Sequence, residues 1–163
     1  MSSADAVARE TAWLSAFDPE DGLPALLAAQ DGPFDVLQGY LPRTPIQRRR
    51  QLYVMRRRIQ EVRTANVRRM ARYNFELQIT WPASSPSGSA EEPQQALDNA
   101  VDLVLQRIGG LMLDKTHGGR FLSVAEDPAE VSVVFADPDP SLRGNADLTC
   151  SISYSADDIE ISG

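Results

Sequence analysis

From Asn74 to Trp81 the chain alternates strictly, with Phe75, Leu77, Ile79 and Trp81 apolar and Asn74, Glu76, Gln78 and Thr80 polar. A period of two predicts a strand with one buried face, and Pro82 ends it. The same pattern returns in Leu148, Cys150, Ile152 and Tyr154 against Thr149, Ser151, Ser153 and Ser155, which predicts a second half-buried strand. Between them lies a run of different period. Glu91-Glu92-Pro93 opens it with an acidic, proline-started turn; Leu97, Ala100, Val101, Val104, Leu105 and Ile108 recur at helical spacing; Gly109-Gly110 stops it. A helix with one apolar stripe follows, and that stripe needs a sheet face to cover.

The remaining pattern is weaker. Residues 4–17 carry Val7, Ala8, Trp13, Leu14 and Phe17 at loose helical spacing before Asp18-Pro19, and 25–30 fit one or two more helical turns, so the first 30 residues read as a helical segment. Phe34 to Leu41 reads as extended, stopped at Pro42. From Leu52 to Val62 the period is ambiguous: Leu52, Met55, Ile59 and Val62 suit a helix, while Leu52/Val54 and Tyr53/Met55 suit a strand. The strand ending at Trp81 needs a partner, and a long hairpin from Leu52 through Thr64-Ala65-Asn66 to Trp81 supplies one. Residues 83–90 are small and polar and predict a flexible, exposed loop. Phe121 to Val124 and Val131 to Phe135 read as two more strands around Asp127-Pro128. The order α, β, β, α, β, β, β predicts a single α+β domain over residues 1–163: a mostly antiparallel mixed sheet with a long β-hairpin, packed on one side by helices.

Composition changes this picture little. At 163 residues, 42% apolar and 24% charged, the chain fits one soluble domain. No apolar run approaches the roughly 20 residues of a membrane span, and the N-terminus lacks a basic region followed by an apolar one. One cysteine, Cys150, and one histidine, His117, exclude an intramolecular disulfide and a Cys/His-rich zinc cluster, and point to a cytosolic folding compartment.

Catalytic constellations are hard to assemble. His117, in Thr116-His117-Gly118-Gly119-Arg120, reads as a turn histidine without a nucleophile elbow, and Cys150 falls on the apolar face of its strand as a core residue. Gly109-Gly110 and Gly118-Gly119 lack phosphate-loop spacing. Asp137-Pro138-Asp139-Pro140-Ser141 starts like a calcium loop, but Leu142 stands where glycine is required and Leu148 where glutamate is. Asp157-Asp158 reads as a solvated end. The expectation is a non-enzymatic protein without cofactor or metal.

Charge does change the picture. The net charge is -7, yet between Arg43 and Arg72 eleven arginines stand against one acid, Glu61, giving +10 over 30 residues and -17 over the other 133. Three readings of that basic hairpin remain open: a solvated ribbon with an Arg-biased composition, a nucleic-acid contact, or a contact with an acidic protein surface. Arginine suits the last because its planar fork pairs bidentately with carboxylates. The acidic surface already exists on a second copy of the chain, which makes a head-to-tail contact natural, and such a contact closes into a ring or runs on as a filament. The candidate interface residues are Arg48, Arg49, Arg50, Arg56, Arg57, Arg58, Arg63, Arg68 and Arg69. Strict alternation predicts that Arg57 faces opposite to both Arg56 and Arg58. Only Tyr53 and Tyr73 stand near to stack on bases, which disfavours nucleic acid.

Leu52-Tyr53-Val54-Met55-Arg56-Arg57-Arg58-Ile59, Arg63-Thr64-Ala65-Asn66, Met70, Tyr73-Asn74-Phe75 and Trp81-Pro82 resemble the tail terminator proteins of long-tailed actinobacterial phages and prophages. The helix from Gln94 to Ile108, Thr116-His117-Gly118-Gly119-Arg120-Phe121 and the strand Leu148 to Ser155 followed by Asp157 extend the resemblance over most of the chain from Phe34. It implies a virion structural subunit that forms a hexameric ring at the head-proximal end of the tail tube. Such a ring ends tube polymerisation and offers a docking face for the head-tail connector (stopper) protein. Its implied partners are further copies of itself, the tube protein and that connector, with genomic DNA passing through the lumen without specific binding and no membrane. The resemblance equally leaves open another neck or tail ring component, a connector or a tube subunit.

Overall fold

Two long antiparallel strands dominate the molecule. A computed structural model describes residues 3–43, 49–65, 68–82, 91–110, 114–126, 130–136 and 147–161. The expected loop 83–90, the hairpin tip, Asp127-Pro128 and the calcium-like Asp137–Ser141 turn lie outside the described residues. Helix α1 spans Ser3–Ser15, and a single 3-10 turn, Ala28–Gln30, is what 25–30 forms. Strand β1 covers Val36–Gly39, β2 Gln51–Ala65 and β3 Arg68–Trp81; helix α2 covers Glu91–Gly109; strands β4, β5 and β6 cover Ser123–Val124, Ser132–Phe135 and Leu148–Ile161.

The sheet order is β1-β2-β3-β6, with β4 and β5 both on the far side of β6. Only β1 and β2 run parallel; every other pair is antiparallel. The mixed sheet curls into a half-barrel with the helices on one side, as the alternating strands and the striped helix require.

Register explains the core. Phe75 stands opposite Tyr154, Leu77 opposite Ile152 and Ile79 opposite Cys150, so the alternating sets of β3 and β6 share one face. Leu52 and Val54 of β2 join them, and all of these are buried. That pairing resolves the ambiguous stretch as strand: Ile59, which the helical spacing would bury, is 47% exposed. Leu97, Ala100, Val101, Val104 and Ile108 of α2 close over the face, while Leu105 is only partly buried. The left-handed Gly110 (φ +66°) ends the helix as an αL cap.

On α1 the inward stripe is Ala6, Val7, Glu10, Trp13 and Leu14; Ala8 and Phe17, expected to belong to it, are exposed. The helix lies directly on β1. A Cβ on Gly39 would sit 2.9 Å from Val7 Cγ1 and 3.3 Å from Thr11 Oγ1, so a larger residue there would force the α1 side chains against it to shift.

Leu97→Ala is expected to lower unfolding stability by about 2–5 kcal/mol and Leu105→Ala by less. Val101→Asp, which desolvates a carboxylate without a partner, should cost at least as much as Leu97→Ala. Urea unfolding of the three variants checks this, and an unchanged Val101→Asp midpoint would contradict the packing.

Candidate assembly interface

β1 covers β2 only from Gln51 to Val54, while β2 and β3 stay paired to Ala65 and Arg68. The arm beyond Val54 is held from the other side. β6 pairs with β3 along the whole span from Trp81↔Leu148 to Arg68↔Ile161, six residues past the Ser155 end that alternation predicts. Among the described residues the arm is three-stranded from Glu61 outward, where β4 no longer pairs with β6, and no strand pairs with the outer edge of β2 past Val54.

Arg57 does not alternate with its neighbours. Arg56 pairs with Phe75 and Arg58 with Asn74, leaving Arg57 as the extra residue of a β-bulge. Facing inverts there: Leu52, Val54 and Arg56 share the side of Phe75, whereas Arg58 takes the opposite side with Asn74. Arg57 is ion-paired to Glu76 on that same outer side, which raises its pKa through the hydrogen bond and the adjacent charge. The expected opposition of Arg57 to both neighbours is thus corrected. Arg57 and Arg58 share one face and Arg56 holds the other.

The candidate arginines fall into three groups. Arg57 is matched within the chain, as is Arg72, which was not among them: its Nε and Nη2 donate to Asp157 Oδ1 and Oδ2 at 2.7 and 3.1 Å. Arg49, Arg50, Arg56 and Arg58 are exposed, and among the described residues none of their guanidinium groups meets a carboxylate; Arg50 donates only its backbone N–H to Asp35 Oδ2, at 3.1 Å. Arg50 Cζ lies over the Trp81 ring at 4.7 Å and Arg56 Cζ over Tyr40 at 5.7 Å, both within cation–π range. Arg48 and the side chains of Arg63, Arg68 and Arg69 lie outside what is described.

Asp157-Asp158 is not a solvated end. Asp157 is 8% exposed and held by Arg72; Asp158 accepts from Arg9 Nη1 at 3.0 Å. Part of the bipolar charge is therefore cancelled inside one subunit, because the basic hairpin strand lies beside an acidic strand end. Arg9 also donates to the Arg120 carbonyl and stacks over Phe121 at 4.5 Å, so α1 is tied to the segment leading into β4.

His117 is a turn residue, with φ +52°, but a buried one. Its Nε2 donates to the Ile108 carbonyl at 2.8 Å, and a proton lies between Nδ1 and Glu10 Oε2 at 2.9 Å. Glu10 Oε1 accepts from the Tyr154 hydroxyl at 2.7 Å. The ring stacks on Trp13 with centroids 4.7 Å apart. Trp13 Nε1 donates to the Arg107 carbonyl at 2.9 Å, and Arg107 Nε and Nη2 return bonds to the Trp13 carbonyl. Arg107 is 1% exposed and its Nη1 has no partner among the described residues. Every Glu10, His117 and Tyr154 heteroatom is occupied by a neighbour, so this is a clasp joining α1, α2, the 116–120 turn and β6. One signal for it is legible in the sequence: Glu10 falls between Val7 and Trp13-Leu14 on the apolar stripe of α1.

Among the described residues no group of acidic, histidine and cysteine side chains forms a metal cluster, and no helix is long and apolar enough to cross a membrane. No protein-family model matches the chain, and no curated protein matches its sequence.

Burial, with the Glu10 carboxylate beside it, pushes the Tyr154 hydroxyl well above the usual phenol range. Below about pH 10 the folded and unfolded phenols are both protonated and pH has no leverage; above it the unfolded chain sheds a proton that the folded one retains, so stability falls. Spectrophotometric titration should show the Tyr154 phenolate appearing only with alkaline unfolding, a component that Tyr154→Phe removes. At neutral pH His117→Ala, which strands Glu10 in the core, should cost about 3–5 kcal/mol.

Burial likewise pushes the Cys150 thiol up to about 11. The folded protein is accordingly expected to resist thiol reagents at pH 8 and to react fully in denaturant.

Proposed function

We propose that the chain is a structural subunit of a phage tail that assembles into a ring, the tail terminator role its sequence resemblance implies. One observation carries the assembly part of this reading: the distal β2–β3 arm extends past the cover of β1 and presents Arg56 and Arg58 on opposite faces, neither guanidinium meeting a carboxylate among the described residues. An element charged on both faces suits a position between two neighbours, each contributing acids. Exposed pairs contribute only about 0.2–1 kcal/mol each, so the arginines set orientation while other contacts hold the ring. The Glu10–His117–Tyr154 clasp fits such a role, since it stiffens the body from which the arm projects.

In this reading the ring sits at the head-proximal end of the tail tube, limits tube growth and offers a face to the connector, and the protein resides in the virion after assembly in the host cytoplasm. Fold and ring formation do not distinguish a terminator from a connector or a tube subunit; behaviour toward the tube protein does. A terminator caps one end of the tube and a tube subunit copolymerises.

Arg56→Gln/Arg58→Gln is expected to leave a folded subunit that no longer forms rings in electron micrographs or limits tube length, and raised salt should weaken the wild-type ring. Arg57→Gln, which loses only a pair within the chain, should assemble. Rings that persist in the double variant while duplex DNA binding near physiological salt disappears would replace this reading with a nucleic-acid module.

A further inference from the structure

The sheet has two outer edges, and both carry exposed apolar side chains. On one, β5 ends the sheet beside β6, with Val134 60% and Phe135 48% exposed. On the other, beside the uncovered stretch of β2, stand Ile59 at 47%, Tyr40 at 42% and Leu41 at 53%. The chain leaves β2 at this point: the Tyr40 N–H bonds to the Val54 carbonyl and pairing with β1 stops. An uncovered edge with apolar side chains is a template for another strand unless something blunts it.

The charges flanking the two edges are opposite. Arg56 and Arg58 lie on the β2 edge within the +10 segment, whereas the chain from Glu126 to Asp147, which contains β5, holds six acids against the single base Arg143. Two copies of the same edge would repel; unlike edges attract.

We propose that the uncovered edge of β2 from Arg56 onward receives β5 of a second copy of this chain, so that the sheet continues from subunit to subunit. The inference rests on the ring reading and specifies its joint. Strand directions permit it. β2, β3, β6 and β5 alternate in direction, so β5 runs opposite to β2, and copies related by rotation about an axis along the strands bring them together antiparallel. The two edges lie on opposite sides of one sheet, which makes the contact head-to-tail and lets it close, as a curled sheet favours. β5 stands level with Leu52 to Met55 across the sheet, so the joint includes a shift of a few residues along the strands. Strand tilt in closed barrels supplies such a stagger.

The test uses the full chain with Ile59→Cys or Val134→Cys, two exposed positions, while the native Cys150 is buried, and the wild-type chain serves as the control for its reaction. A short bis-maleimide is added to each variant separately and to their mixture, with light scattering run in parallel. Covalent dimers in the mixture but not in either variant by itself support the joint, and the double variant should give a ladder ending at the ring size. Val134→Lys should keep the wild-type melting temperature and lose association. Cross-linking of each variant to itself would mean a symmetric edge contact and overturns the proposal. Rings without cross-links in the mixture overturn it but spare the ring reading. A monomer at every concentration, with or without tube protein, removes both.

Discussion

β3 is paired on both sides along its whole length, with β2 from Thr80 to Arg68 and with β6 from Trp81 to Arg68. Its inward side chains set the position of everything that covers them: α2 with Leu97 to Ile108, α1 with Val7 and Trp13, and the Phe121 ring that meets Phe75 edge-on at 5.9 Å. A shift of β3 by one residue would carry Phe75, Leu77, Ile79 and Trp81 to the outer face together, and each of these large side chains contributes about 1.5–3 kcal/mol by its burial. The arm follows from the same constraint. It extends as far from the core as β3 remains paired on both sides.

A polar knot sits within this apolar body. Glu10, His117, Tyr154 and Arg107 have lost nearly all contact with water, and each is costly to bury unless its partners are in place. Their bonds run between elements rather than within them, so the knot forms only when α1, α2, the turn and β6 are all correctly docked. It works against near-miss packings as much as it stabilises the native one.

The fold was legible where one signal dominated. Strict alternation in β3 and β6 and the stripe of α2 left little choice, and the hairpin followed from the need of β3 for a partner. Three features were not legible. The continuation of β6 through Asp157 and Asp158 breaks the apolar pattern because those acids meet Arg72 and Arg9, residues remote in sequence. His117 read only as a turn histidine, and its buried role was hidden because its partners, Glu10 and the Ile108 carbonyl, come from other elements. The bulge at Arg57 is a matter of register between two strands, and the run Arg56-Arg57-Arg58 carries no glycine or proline to mark it. The arginines themselves were visible in the sequence, but which ones are matched within the subunit depends on β6 lying beside β3.

The bulge acts on the arm as an inserted base acts on a reading frame. Before it the even-numbered residues of β2 face the helices, and after it the odd-numbered ones do until a second register shift between Arg63 and Ala65, so the facing of Ile59 to Glu61 depends on one extra residue. Loss of any single residue from the Arg56–Arg58 run would remove the extra residue and leave Ile59 opposite Tyr73 on the same face, so the ladder would keep its register and lose one outer-face arginine. The third arginine of the run thus adds a charge to the outer face without advancing the ladder.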